Sequence, residues 1–251
     1  YYHCISRCVR RAYLCGFDKL TNKNYNHRKQ WVKDRIIHLS QIFMLDICGY
    51  AVMSNHIHLI IRTRPDLEKN FSNEQIANRW LNLFPRSRSN DGTSPTHTEQ
   101  IVESISSNIE RISLYRERLN NISWFMRCLN ENIARRANKE DECTGRFWEG
   151  RFKSQQLLDK SALLTCLTYV DLNPIRSKQA KDLRTSDYTS IDDRFTALNA
   201  TNKINLLQNV ARQKLPNVQT VKQLIKYETQ IANTDKWLSP LFSTNEKAGI
   251  L

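Results

Sequence analysis

The 251-residue chain has no apolar stretch approaching the roughly 20 residues that cross a bilayer. Its apolar runs, such as Leu59-Ile60-Ile61 and Ala162 to Leu164, are a few residues long, so no membrane partner is expected. No charged-then-apolar leader opens the chain, which starts mid-pattern at Tyr1-Tyr2-His3, and further residues are expected upstream. No Cys-x-x-Cys pair occurs among Cys4, Cys8, Cys15, Cys48, Cys128, Cys143 and Cys166, which removes zinc-ribbon spacing. Their odd number argues against a disulfide framework, and reduced thiols in a cytoplasmic protein are expected. No internal repeat is visible. Acidic residues are short as well: 25 Asp and Glu stand against 38 Lys and Arg, a net charge of +13. So basic a chain favours a polyanionic partner, because each cation placed at a phosphate releases a counterion.

What remains is a globular pattern with five Trp and an apolar share of 40%, enough for a packed core. Residues 1–8 read as a strand, and a basic loop follows from Val9 to Lys23. Between Tyr25 and Phe43 the residues Trp31, Ile36, Leu39 and Phe43 recur at helical spacing. Residues 44–53 and His56 to Arg62 read as strands joined at Ser54-Asn55, a hairpin. Helices are predicted over Asn73 to Phe84, near 100–119 and near 122–138, with a polar loop from Pro85 to Thr98. Arg146 to Gln156 reads as a fourth strand. Asp159 or Ser161 can cap a helix that Asn173-Pro174 stops near Leu172. Helical pattern returns near 218–232. The order predicts an α+β chain with a ferredoxin-like split βαβ sheet, a helical insertion at about 85–120 and a C-terminal helical extension. Residues 1–180 would form the catalytic domain and 181–251 the extension.

The chemistry gathers in two places. Alternation along the third strand puts His56, His58, Ile60 and Arg62 on one face and Ile57, Leu59 and Ile61 on the other. The two imidazoles start about 7 Å apart at Cα, close enough to converge on one ion. A histidine-triad hydrolase would need a third His where Ile60 stands. On the last helix, Ala162, Cys166, Tyr169 and Asn173 share one face, flanked by apolar Leu163, Leu164, Leu167 and Val170. Alone, each residue has a plain alternative: a structural His-x-His, a core tyrosine, an asparagine closing a helix. Taken together, they point to a metal and nucleophile site. An ion held by His56, His58 and Asn173 would leave positions for two phosphate oxygens and act as a Lewis acid. The Tyr169 oxygen would attack phosphorus, form a 5′-phosphotyrosine and release a 3′-hydroxyl, so the bond energy is kept for rejoining. Such ligands suit Mg2+ or Mn2+.

With these residues in place, the chain resembles the REP-associated tyrosine transposases of the HUH single-tyrosine superfamily. The matching pieces are Tyr2 to Arg7, Val52 to Ile61, Gly145 to Ser154 and Tyr169 to Arg176, in the family's order over residues 1–180. The resemblance implies that His56 and His58 are the HUH metal ligands, Tyr169 the nucleophile and Asn173 the third ligand, where the superfamily often has Gln. It implies a cytoplasmic, nucleoid-associated bacterial enzyme that works on hairpins of single-stranded DNA, as a monomer or a dimer. Such a substrate asks for cations at phosphates and rings at unpaired bases. Arg7, Arg10 and Arg11 after the first strand, and Arg146, Arg151 and Lys153 around the fourth, are the DNA-binding candidates, against the alternative of solvated surface charge.

Two other readings share the fold. One is a hairpin-binding regulator that does not cut, which loss of Tyr169 or either histidine would favour. The other is an HUH relaxase or replication initiator, which usually carries a second tyrosine or a third histidine near the motif. His38 is the only other histidine expected nearby.

Overall fold

The computed structural model describes residues 1–9, 13–19, 21–84, 99–213 and 218–241. The chain begins with strand β1 (Tyr2–Arg7) and a minimal hairpin, β2 (Phe17–Asp18) and β3 (Lys23–Asn24). Helix α1 (His27–Ile42) leads into β4 (Leu45–Val52) and β5 (His56–Thr63), joined by a tight turn in which the Met53 N–H donates to the His56 carbonyl at 2.9 Å. Four helices follow: α2 (Asn73–Leu83), α3 (Glu99–Ser106), α4 (Ile109–Leu119) and α5 (Ile122–Glu140). The chain then makes β6 (Lys153–Gln156), α6 (Lys160–Arg176), α7 (Ser190–Gln213) and α8 (Val218–Asp235).

One four-stranded sheet holds these elements in the order β4-β5-β1-β6, each neighbouring pair antiparallel. β1 and β4 therefore run in the same direction on either side of β5, with α1 connecting them. Both faces are covered. Ile57, Leu59 and Ile61 of β5 join Cys4 of β1 in a core built with Val32, Ile36 and Leu39 of α1 and Phe125, Leu129 and Ile133 of α5. Ile60 lies on the opposite face with Cys48, Ala51 and Met53, under Leu163, Cys166, Leu167 and Val170 of α6. Helix α6 can lie that close because Gly49 has no side chain: a Cβ there would come 2.8 Å from the Leu167 Cδ2. Burial holds the core thiols protonated, with Cys4 pushed up to about 11 and Cys15 to about 12.

The C-terminal segment seals the outer edge of the sheet. Ala51 bridges to Thr189, and Ile47 to Leu238, along the open side of β4. Trp237 and Leu238 are buried in the main core. A polar network fastens the start of α7: the Ser190 hydroxyl donates to Asp171 at 2.8 Å, and the Tyr50 hydroxyl donates to Asp193 at 2.6 Å.

Three local expectations need correction. The pattern near 100–119 is two helices, because Asn108 caps α4 by accepting from the Arg111 N–H. The strand expected over Arg146 to Gln156 is confined to Lys153–Gln156. Residues 147–149 follow the end of β1 irregularly, with the Val9 N–H donating to Phe147 and the Glu149 N–H to Arg7, both at 2.9 Å. There the buried Trp148 indole donates inward to the Asn130 carbonyl. Finally, α6 does not stop at Asn173-Pro174 but runs through Pro174 to Arg176. Proline costs an interior helix about 3 kcal/mol. Here the Asn173 carbonyl accepts from Ser177 and the Pro174 carbonyl from Gln179, so the last turn stays bonded. Pro174 itself is buried, and Asp159, capping Ala162, fixes the other end of the helix.

Candidate active site

The period of β5 aims His56 and His58 at α6, and the structure brings Tyr169 and Asn173 to the same place. His58 is at the centre and almost wholly buried. Its Nε2 lies 2.9 Å from the His56 Nε2 and 3.0 Å from the Asn173 amide nitrogen. Its other nitrogen, Nδ1, lies 2.9 Å from Nε2 of His3. His56 turns its Nδ1 to the Asn55 side-chain oxygen at 2.5 Å.

One proton assignment satisfies the outer contacts of both rings. Asn55 accepts, so His56 carries its proton on Nδ1 and leaves Nε2 bare. With His3 accepting from the His58 Nδ1, the His58 Nε2 beside the Asn173 amide is bare too. In that assignment two lone pairs meet across 2.9 Å. Protonation does not relieve them near neutral pH. Burial, with Arg7 adding repulsion, pushes His56 down to about 4. Burial, then the charges of His56, His3 and Arg7, push His58 to about 3. Burial also lowers His3.

A divalent ion suits this arrangement. Ligands at right angles around an ion with bonds of about 2.1 Å sit about 3.0 Å apart. His56 and His58 have that spacing, and so do His58 and the Asn173 amide, whose oxygen takes the place of its nitrogen after a half-turn. Among the described residues, no group of three or more His, Cys, Asp or Glu side chains is placed to hold a metal. The fitting donor set is two neutral imidazoles and one amide.

Tyr169 stands beside it with its ring edge-on to His58 at 5.6 Å between centroids and to His3 at 6.2 Å. It is 41% exposed, unlike a core tyrosine. The Arg176 guanidinium lies over the ring at 5.6 Å, two residues past Pro174 on the stretch of helix that was not expected. A groove of about 750 Å3 opens from Tyr169 along the first turns of α6, floored by His3 and Ile5 of β1. Leu164, expected in the apolar flank, is exposed instead, because it points away from the sheet.

Of the basic candidates, Arg7 is exposed at the end of β1, opposite His56 in register. Lys153 is opposite Ile5 on β6 and so on the histidine face. Arg146 and Arg151 are exposed in the loop before β6, and Arg146 donates to the Glu149 carbonyl at 3.3 Å. Arg10 and Arg11 lie outside the described residues. His38 is exposed on α1, away from this face. The nearby third histidine is His3, whose alternation with Ile5 and Arg7 on β1 was the available signal. Asn55, read only as a turn residue, orients His56.

No protein-family model matches the chain, and no curated protein matches it. A solved structure described as "Structure of the REP associates tyrosine transposase bound to a REP hairpin" is similar to it at 10% identity and a TM-score of 0.44. The match covers 100% of this chain and 92% of that one. So distant a likeness leaves the chemistry to be argued from the residues themselves.

Proposed function

We propose that the chain is a single-stranded DNA endonuclease and strand transferase of the REP-associated tyrosine transposase type, built on a ferredoxin-like split βαβ sheet. The carrying observation is the approach of the His56 and His58 Nε2 atoms to 2.9 Å, with Asn173 beside them and the exposed Tyr169 ring against them. In this reading His56, His58 and Asn173 hold Mg2+ or Mn2+, and residues 1–180 form the catalytic unit with the C-terminal segment docked on it. The bound ion supplies Lewis-acid neutralisation of charge on the scissile phosphate.

The chain's own residues do the rest. Tyr169 offers its hydroxyl oxygen to phosphorus; as the new P–O bond forms, the bond to the 3′ oxygen breaks and that oxygen takes a proton. The tyrosine proton passes to solvent through the open side of the groove. A second 3′-hydroxyl reverses the step, joining a new end and restoring the tyrosine, with no net hydrolysis. His3 keeps the His58 proton on Nδ1. Arg7, Arg146, Arg151 and Lys153 hold the phosphates of a hairpin substrate.

A relaxase-type site would use the third histidine on the ion. Here His3 meets the far nitrogen of His58, which favours the transposase reading. The experiment is to incubate the protein with a 3′-end-labelled single-stranded hairpin and Mg2+ and look for label bound to protein after denaturation. Wild type becomes labelled, and Tyr169→Phe does not while still binding the hairpin. A labelled Phe variant would assign the attack to another residue.

A further inference from the structure

The far face of the sheet carries a second surface with a different character. α5 lies there, since Asn130 donates to Ser6, whose side chain points away from the histidines. Against α2 and α1 it forms a groove of about 340 Å3, lined by Trp80, Phe84, Trp124, Arg35, Arg127 and Arg135. A second groove of about 410 Å3 shares Arg127 and Glu131 with the first and continues to Trp148, Arg151 and Phe152.

Charge and rings alternate along this path. Trp80 is stacked on Tyr115, 4.1 Å between centroids and 8° from parallel, so its plane is fixed. Phe84 beside it is 45% exposed. Arg118 and Arg127 lie over the Trp124 ring at 4.5 and 5.1 Å. Glu131 supplies the only acid on the lining, and it is engaged by Arg135 at 2.6 Å and Arg127 at 3.8 Å. Among the described residues no carboxylate pairs with Arg35 or Arg151. Arg35 is half-buried, and its one hydrogen bond there is a long one of 3.4 Å to the Cys128 carbonyl. Burial lowers its pKa accordingly. A partly desolvated guanidinium without a counter-charge costs stability that an incoming anion restores. An acidic peptide would satisfy the cations but not the rings. Unpaired nucleotides satisfy both, with phosphates on arginine and bases on aromatic and guanidinium planes.

We propose that the groove between α2 and α5 is a second binding site, for single-stranded DNA, on the side of the sheet away from Tyr169. It gives the protein a hold on an unpaired strand that needs neither the ion nor the nucleophile.

The test uses full-length protein carrying Tyr169→Phe, so that cleavage plays no part. A 12-nucleotide oligo-dT with 5-iodouracil is photo-crosslinked and the adducts are mapped. Adducts at Phe84 or Trp124 are expected. The triple variant F84A/R127Q/R135Q removes exposed side chains only, 65% and 80% exposed for the two arginines. It loses those adducts and binds oligo-dT about tenfold more weakly, the order expected for one base stack and two phosphate contacts. R135Q alone, read the same way, gives a smaller loss if the triple variant melts early. In an otherwise wild-type background the triple variant still forms the Tyr169 adduct, which keeps this inference separable from the proposed function. Adducts mapping only to α6 and β6, unchanged binding by the triple variant, or equal displacement by poly-glutamate or duplex would overturn it.

Discussion

Nε2 of His3 lies 2.9 Å from Nδ1 of His58, on the side of that ring opposite His56 and Asn173, and the two rings are within 20° of parallel with centroids 5.1 Å apart. The contact joins residues 55 positions apart through the pairing of β1 with β5. In the proposed site His3 is a positioning residue: by accepting from the His58 Nδ1 it would leave Nε2 to the ion. His3→Ala should weaken Mn2+ binding by roughly 10- to 100-fold, the usual cost of losing such an outer partner. His3→Gln, which can still accept, should recover part of it. Mn2+ titration followed by electron paramagnetic resonance reads both without any turnover, and unchanged affinity in His3→Ala would remove the role.

Asn173 is buried on α6, with its amide nitrogen 3.0 Å from the His58 Nε2. If its oxygen is a ligand, Asn173→Ala should lose most cleavage at low metal and regain part at high metal. Asn173→Asp should bind the ion at least as tightly, since carboxylate suits hard cations better. A purely structural asparagine would lower the melting temperature in both variants and leave the metal dependence of cleavage as in wild type.

Stability should fall on mild acidification of the metal-free protein. Both site histidines titrate at about 6.5 when unfolded, but at about 4 and about 3 when folded. Below pH 6.5 the unfolded chain takes up protons that the folded one refuses, so stability present at neutral pH is lost progressively as pH falls toward 3. Urea melts between pH 7.5 and 4.5 should show the decline, and the double variant His56→Gln, His58→Gln should flatten it. An equally steep decline in the double variant would place its cause elsewhere.

Hairpin affinity should be strongly salt-dependent. With several phosphates held by Arg7, Arg146, Arg151 and Lys153, it should drop at least about a hundredfold between 50 and 200 mM salt. Replacing Lys153 with Gln should reduce the slope of log affinity against log salt by about one. A flat salt response would leave the +13 charge without this function.

Much of this site was legible because it depends on short-range periods. The strand period of two groups His56 with His58, and the helix period of 3.6 groups Tyr169 with Asn173. His3 was not legible in that way, since nothing near Tyr2 and Cys4 says which strand β1 will pair with or in what register. The end of α6 was misread for a related reason. Asn173-Pro174 is locally a stop, but burial of Leu163, Leu167, Val170 and Pro174 holds the helix against the sheet and carries it on to Arg176. A helical C-terminal extension was expected, but α7 within it was not placed; its mixed polar surface is anchored by Ser190, Asp193 and Arg194 reaching β4 and α1, contacts with no local signature.

The closure of β4 by Thr189 and Leu238 has a consequence in time. On the ribosome, β4 and β5 are made early, whereas Leu238 follows Val52 by about 190 residues. At roughly 5–20 residues per second, the outer edge of β4 waits on the order of 10 to 40 s for its cover. Through that interval the nascent chain presents a bare strand edge, Leu45 to Val52, with every side chain destined for the interior. Chaperone demand during synthesis should therefore concentrate on this one strand, and chains ending before the C-terminal helices should associate through it.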